Sequence, residues 1–121
     1  DYTTICNAAP SEALALMALR AREALLERSR AIVQGNLGLL GRFITAHAEL
    51  LSWAQPQGGS VALARLHCPD VERYCAALAA RAGVLLLPGS ALDWPGPYVR
   101  LGYGRRGLGE GLAAWAGALG A

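Results

Sequence analysis

GVLLLPGSALDWPGPYVRLGYGRR, Gly83–Arg106, is the stretch whose reading decides the fold. Gly83 ends whatever precedes it. Val84–Leu87 is a continuous apolar run, which predicts a strand buried on both faces, and Pro88-Gly89 stops it. After the loop Asp93–Pro97 a second strand is expected over Tyr98–Tyr103. Side chains alternate across a strand, so Val99, Leu101 and Tyr103 share an apolar face and Tyr98, Arg100, Gly102 and Gly104 share the other. One arginine beside two glycines leaves room for a ligand to approach the backbone, and a guanidinium grips a carboxylate through two parallel hydrogen bonds. Two readings of Arg100 stand on this pattern: a carboxylate-binding side chain, or a solvated or salt-bridged strand arginine.

Working outward, Leu108, Leu112, Trp115 and Leu119 recur at helical spacing and predict a C-terminal helix. Its glycines, Gly109, Gly111 and Gly117, weaken it by about 1 kcal/mol each against alanine. Upstream, Pro69 and Asp70 open a helix that Gly83 closes. Ser60–Leu66 reads as a strand with Val61, Leu63 and Arg65 on one face, preceded by the turn Pro56–Gly59 and a short strand over Ser52–Ala54. Residues 1–10 read as an extended lead-in. Residues 11–34 read as one long helix with Ser11 as its N-cap and Leu14, Met17, Ala21, Leu25 and Ile32 along one stripe. At about 36 Å that helix is long enough to reach a neighbour. Gly35-Asn36 marks a stop or kink, and a second helix is expected over Leu37–Leu51, with Leu40, Ile44, Ala48 and Leu51 on one side. Mixed elements over a small, mostly antiparallel sheet of three or four strands make residues 1–121 a single α+β domain rather than a bundle.

Composition narrows the function. The net charge is +2, the eleven basic residues are scattered, and aromatics are few, which excludes a stacking platform for nucleic acid and an anionic-membrane surface. No apolar run reaches membrane-spanning length, and the start has neither the basic region nor the apolar block of a signal peptide. It also lacks an initiator methionine, so the chain reads as cut from something longer. The apolar fraction of 54% is that of an Ala- and Leu-rich helical protein, or of a domain whose surface is partly covered by something else. Three cysteines, Cys6, Cys68 and Cys75, form no disulfide framework, and a reducing cytoplasm is the simplest setting.

Other constellations give way to structural readings. Cys68 and Cys75, seven residues apart, would stand about 10 Å apart along a continuous helix, too far for one zinc or a disulfide, so no metal site is expected. His47 and His67 read as surface or capping groups. PQGGSV lacks the Gly-Lys-Ser of a phosphate loop. Glu23 and Glu27 sit on a helix amid arginines and read as a solvated face.

Taken in order, these segments resemble the C-terminal, small domain of class I/II aminotransferases, the fold-type I enzymes that use pyridoxal phosphate (PLP). DYTTICNAAPSE resembles the entry into that domain, PQGGSVALARL its Pro-x-Gly-Gly strand, GVLLLPGSAL its Pro-Gly strand, and YVRLGYGRR its last strand. The lead-in is similar to enzymes related to capreomycidine synthase and to aspartate-type aminotransferases. The resemblance implies that Arg100 grips the α-carboxylate of an amino acid or 2-oxo acid substrate. It puts Cys6 and Asn7 near the active site, on the side of the other subunit of a homodimer, and Ser60 and Val61 near the substrate side chain. It also implies a large PLP-binding domain of the same enzyme as partner. Val61 and Leu92 depart from the aromatic residues usual at those positions, which leaves side-chain specificity open. All eleven basic residues are arginine. With no lysine the chain cannot hold the cofactor as a Schiff base, so the resemblance implies a domain whose catalytic lysine lies upstream and a segment that is not catalytic alone. A lyase or an amino-acid-cyclising synthase of the same fold, or a standalone α+β binding module, are the alternatives. A gene that encodes a strand followed by Ser-x-x-Lys upstream of Asp1 would select the enzyme.

Overall fold

The computed structural model describes residues 6–120 of the chain. Two compact units are distinguished, Asp1–Ala31 and Ile32–Ala121.

In the first unit, α1 spans Ala9–Arg20 and α2 starts at Arg22. The predicted single helix over 11–34 is therefore divided at Ala21, where φ −94° and ψ 10° leave the helical basin. Alanine is a strong helix former, so local propensity does not account for the break. The start also differs. Ala8 is the N-cap and Ser11 lies within the first turn, its N–H bonded to the Ala8 carbonyl at 2.9 Å. Pro10 explains the earlier start: in a first turn its missing N–H has no partner to lose, and its fixed φ suits the helix. The extended lead-in expected over 1–10 thus ends by Ala8, and residues 1–5 of it lie outside the described residues. α1 buries no residue, and the expected stripe stands open, with Leu14 65% and Met17 64% exposed.

α2 continues to Ala46. The stop expected at Gly35-Asn36 is absent because Asn36 does not turn its amide onto its own backbone, the usual way asparagine breaks a helix. It points inward and bonds two distant carbonyls. The helix ends sooner than the expected Leu51, after Ala46. The His47 imidazole bonds the Phe43 carbonyl at 2.9 Å and lies against the Phe43 ring, 4.4 Å between centroids, in the expected capping role.

The rest of the second unit is a four-stranded antiparallel sheet in the order β1-β2-β4-β3. The strands are β1, Leu51–Trp53; β2, Val61–Leu66; β3, Leu87–Pro88; and β4, Tyr98–Gly102. Two more helices, α3 (Val71–Ala82) and α4 (Leu108–Leu119), complete it. α3 has the predicted ends. The Asp70 carboxylate accepts from the Arg73 N–H at 2.9 Å, and Gly83 follows at φ +66°, a left-handed conformation that suits glycine. Cys68 precedes this helix, so the continuous helix joining it to Cys75 does not exist. Both cysteines are free thiols.

One face of the sheet is core. Val99 pairs with Ala64 and Leu101 with Ala62, all four buried, against Leu40 and Phe43 of α2 and Trp115 of α4. Trp115 is 1% exposed, stacks 4.9 Å from Phe43 and donates its indole N–H to the Tyr74 hydroxyl at 2.7 Å, which ties α4 to α3. The apolar run Val84–Leu87 is not a doubly buried strand. Only Leu87 and Pro88 pair with β4, at the sheet edge, and Leu85 is 84% exposed. An edge strand tolerates proline because one side of its backbone needs no partner. The single apolar run reflects a crossing from solvent to core at Leu86, not burial on two sides.

Candidate functional site

β4 carries the alternation read from its residues. Val99, Leu101 and Tyr103 are buried, and Arg100 and Gly102 are exposed on the opposite face. Arg100 stands in the middle of the sheet, paired with Leu63 on one side and Leu87 on the other. Directly paired side chains share a face, so two leucines flank the guanidinium. The next outward position is Gly102, where an added Cβ would meet nothing within 4 Å. That is room beside the arginine. Opposite Gly102 lies Val61, 48% exposed.

The second glycine does something else. At Gly104 a Cβ would come 2.9 Å from the Cβ of Ser60, so glycine there permits the end of β4 to meet the PQGGS turn. The Tyr103 N–H bonds the Ser60 carbonyl at 2.8 Å, and the Tyr103 hydroxyl donates to the Gly58 carbonyl at 3.2 Å. Val61, paired with Gly102, lies on the same sheet face as Arg100, and Ser60 immediately precedes it. Cys6 and Asn7, in the other unit, are both exposed, and Cys6 is a free thiol. Leu92 closes a 3-10 turn, Gly89–Leu92, and is 44% exposed.

Beside β4 is a cleft of about 390 Å³, within the size range of small-molecule sites. Its lining is mostly apolar, including Leu40, Leu101, Leu112 and Trp115 of the helix-covered face, and Arg100, Gly102 and, beyond β4, Arg105 also border it. No acidic residue lines it. Among the described residues the one ion pair is Arg22–Glu23, exposed on a helix, so Arg100 and Arg105 stand there without a carboxylate partner. The salt-bridged reading of Arg100 thus has no support among the described residues.

Two residues of this region escaped the sequence reading. Asn36 is buried, and its amide donates to the Tyr103 carbonyl at 2.9 Å and the Arg105 carbonyl at 2.6 Å. Its signal was present: position 36 precedes Leu40 and Phe43 by four and seven residues, so a polar side chain occupies the apolar stripe. Arg105 had no signal beyond following the strand.

The other candidates stay structural. Burial pushes the Cys68 and Cys75 thiols and the Tyr74 phenol above their ordinary values, the reverse of nucleophile activation. His67 shares a 2.9 Å hydrogen bond with Ser52, and its second ring nitrogen faces the Glu49 carbonyl at 3.3 Å. Among the described residues no helix is long and apolar enough to cross a membrane.

No known family pattern and no curated protein matches the chain in sequence. Solved structures do match. A PLP-dependent aminotransferase from Streptococcus suis 89-1591 is similar over 98% of this chain and 32% of its own, with 32% identity and a TM-score of 0.89. A PLP-dependent cyclase, OrfR, is similar over 97% of this chain and 34% of its own, with 32% identity and a TM-score of 0.80. An aspartate aminotransferase from Thermotoga maritima shares the fold at 21% identity, with a TM-score of 0.79 over 99% of this chain. The chain spans about a third of the length of each of these proteins.

The residues present do not fit covalent cofactor binding, since there is no lysine amine among them. In fold and in extent, the chain has the build of a small domain of the fold-type I, PLP-dependent aminotransferases.

Proposed function

We propose that the chain is the C-terminal, substrate-carboxylate-binding domain of a PLP-dependent aminotransferase that moves an amino group between an amino acid and a 2-oxo acid. Arg100 binds the α-carboxylate and so orients the substrate toward a lysine and a cofactor held by the large domain of the same enzyme. The observation that carries this reading is Arg100 itself: an exposed guanidinium in mid-sheet, between Leu63 and Leu87, beside the open space at Gly102 and outside any ion pair among the described residues. Ser60 and Val61 border the substrate side chain, Cys6 and Asn7 the active site of a homodimer, and the enzyme works in the cytoplasm.

The test is Arg100→Lys in the full-length enzyme. Lysine keeps the charge but loses the bidentate geometry, so kcat/KM for the amino donor falls by about tenfold or more. An unchanged value sinks the carboxylate role. The 32% identity with a PLP-dependent cyclase favours one second reading, an enzyme that cyclises its amino acid substrate. Product analysis separates the two: a cyclised product without amino transfer to any 2-oxo acid selects the cyclase.

A further inference from the structure

We propose that α1 is an interior helix of the large domain in the full-length enzyme, enclosed by that domain on two sides, so that a domain boundary falls within this chain, after Arg20. This rests on the reading of the chain as part of a larger PLP-dependent enzyme, and not on the role of Arg100.

The helix Ala9–Arg20 carries two charged residues, Glu12 in its first turn and Arg20 in its last. Between them, Ala13–Leu19 is wholly apolar. Leu14 and Met17, three positions apart, share one side of the helix, and Leu16 and Leu19 share another. Each pair is two positions from the other, about 200° around the helix, so the two sides are nearly opposite. A helix that rests on a surface is apolar along one stripe and polar on the other; a helix apolar all round is an interior one. Yet α1 buries none of its residues. Leu14, Leu16, Met17 and Leu19 are 65%, 50%, 64% and 63% exposed. A helix of 12 residues is marginal in water without a packed face, and exposed apolar surface on two sides marks a place where something else packs.

What covers α1 has to reach both sides. A second copy of the chain, related by a twofold axis, meets its own matching patch; it covers one pair of side chains and leaves the other in water. A domain that takes the helix into its core covers both. The PLP-dependent aminotransferase and the cyclase, each 32% identical over 98% and 97% of this chain, are matched over only 32% and 34% of their own length. About two thirds of each such enzyme therefore lies outside the matched part. The same placement gives a reason for the break at Ala21, which helix propensity does not. α1 ends there and α2 starts at Arg22, and a helix packed inside another domain takes its direction from that core rather than from α2.

The experiment uses the full-length enzyme with two single substitutions, Leu14→Asp on one side of α1 and Leu16→Asp on the other. Each is expected to lower the melting temperature by about 5 °C or more, because each puts a carboxylate into an apolar interior, and the loss is expected to be the same at all protein concentrations. In the unsubstituted enzyme, the amide hydrogens of α1 are expected to exchange about a thousandfold more slowly than in an open helix. Loss from one substitution only would mean that α1 lies on a surface, which overturns the proposal. A loss that fades as protein concentration rises, with dissociation of dimers in sedimentation, would assign the cover to a second copy and overturn it too. Unprotected amides together with unchanged melting temperatures would leave α1 in water. Should the aspartate variants fail to accumulate, Leu14→Ala and Leu16→Ala repeat the comparison with a smaller loss on both sides expected. A full-length protein that binds no PLP overturns the enzyme reading and this proposal with it; α1 in water on a protein that does bind PLP overturns this proposal alone.

Discussion

The two faces of the sheet are built from the same strands and are put to opposite uses. On β4, Val99, Leu101 and Tyr103 are 0%, 5% and 1% exposed, while Arg100 and Gly102 between them face outward. The buried face is closed by three helices and has no unsatisfied buried side-chain polar atom among the described residues. The outward face holds an arginine with no ion-pair partner among the described residues, a glycine beside open space and an exposed Val61. One face contributes stability, and the other carries an exposed charge that the fold does not use. A charge unpaired among the described residues is inexpensive where water reaches it, so the fold tolerates Arg100 there.

Substitutions on the two faces should therefore separate stability from binding. The largest effect is expected from Trp115→Ala on the buried side. It removes the side chain stacked on Phe43 and strands the Tyr74 hydroxyl, and costs about 3–5 kcal/mol in chemical denaturation. A loss below about 1 kcal/mol would mean the core closes differently. Next is Arg100→Lys. Its penalty falls on kcat/KM, while the denaturation midpoint stays within about 0.5 kcal/mol of the parent. Loss of stability in step with activity would erase the distinction between the faces. Asp70→Ala removes the N-cap of α3 and costs about 1 kcal/mol, with no effect on ligand binding.

The smallest effect is alkaline. Burial raises the thiols of Cys68 and Cys75 and the phenol of Tyr74. All three are neutral below their unfolded values, so the contribution to stability is complete below about pH 8.5. As pH rises beyond that, the unfolded chain releases its protons first, and stability falls until the folded groups also ionise. A pH series of denaturation midpoints should decline on the alkaline side, and Cys75→Ala should make the decline shallower. An unchanged slope in that variant removes Cys75 from the account.

Much of this was legible in the residues. Alternation in YVRLG assigned both faces of β4, and Pro69-Asp70 and Gly83 marked α3 correctly, because these are local steric and capping effects that the chain expresses wherever it folds. Three of the readings that failed did so where the answer depends on distant parts of the chain. Gly35-Asn36 reads as a helix stop or kink, and the stop is absent, because Asn36 spends its amide on carbonyls 67 and 69 residues distant. Val84–Leu87 reads as a doubly buried strand, yet the order β1-β2-β4-β3 puts it at an edge. Gly102 and Gly104 read alike, yet one borders open space and the other the Cβ of Ser60.

The sequence by itself determined the α+β class, the two-faced strand with its outward arginine and, through the absence of lysine, that this chain cannot hold pyridoxal phosphate as a Schiff base. Only the tertiary structure decided that Arg105 shares the cleft of Arg100 and that Asn36 fastens the segment between them. Periodicity and charge are properties of neighbouring residues and survive in the linear order. Which carbonyl a buried amide will meet depends on how distant segments pack, and the linear order does not record it.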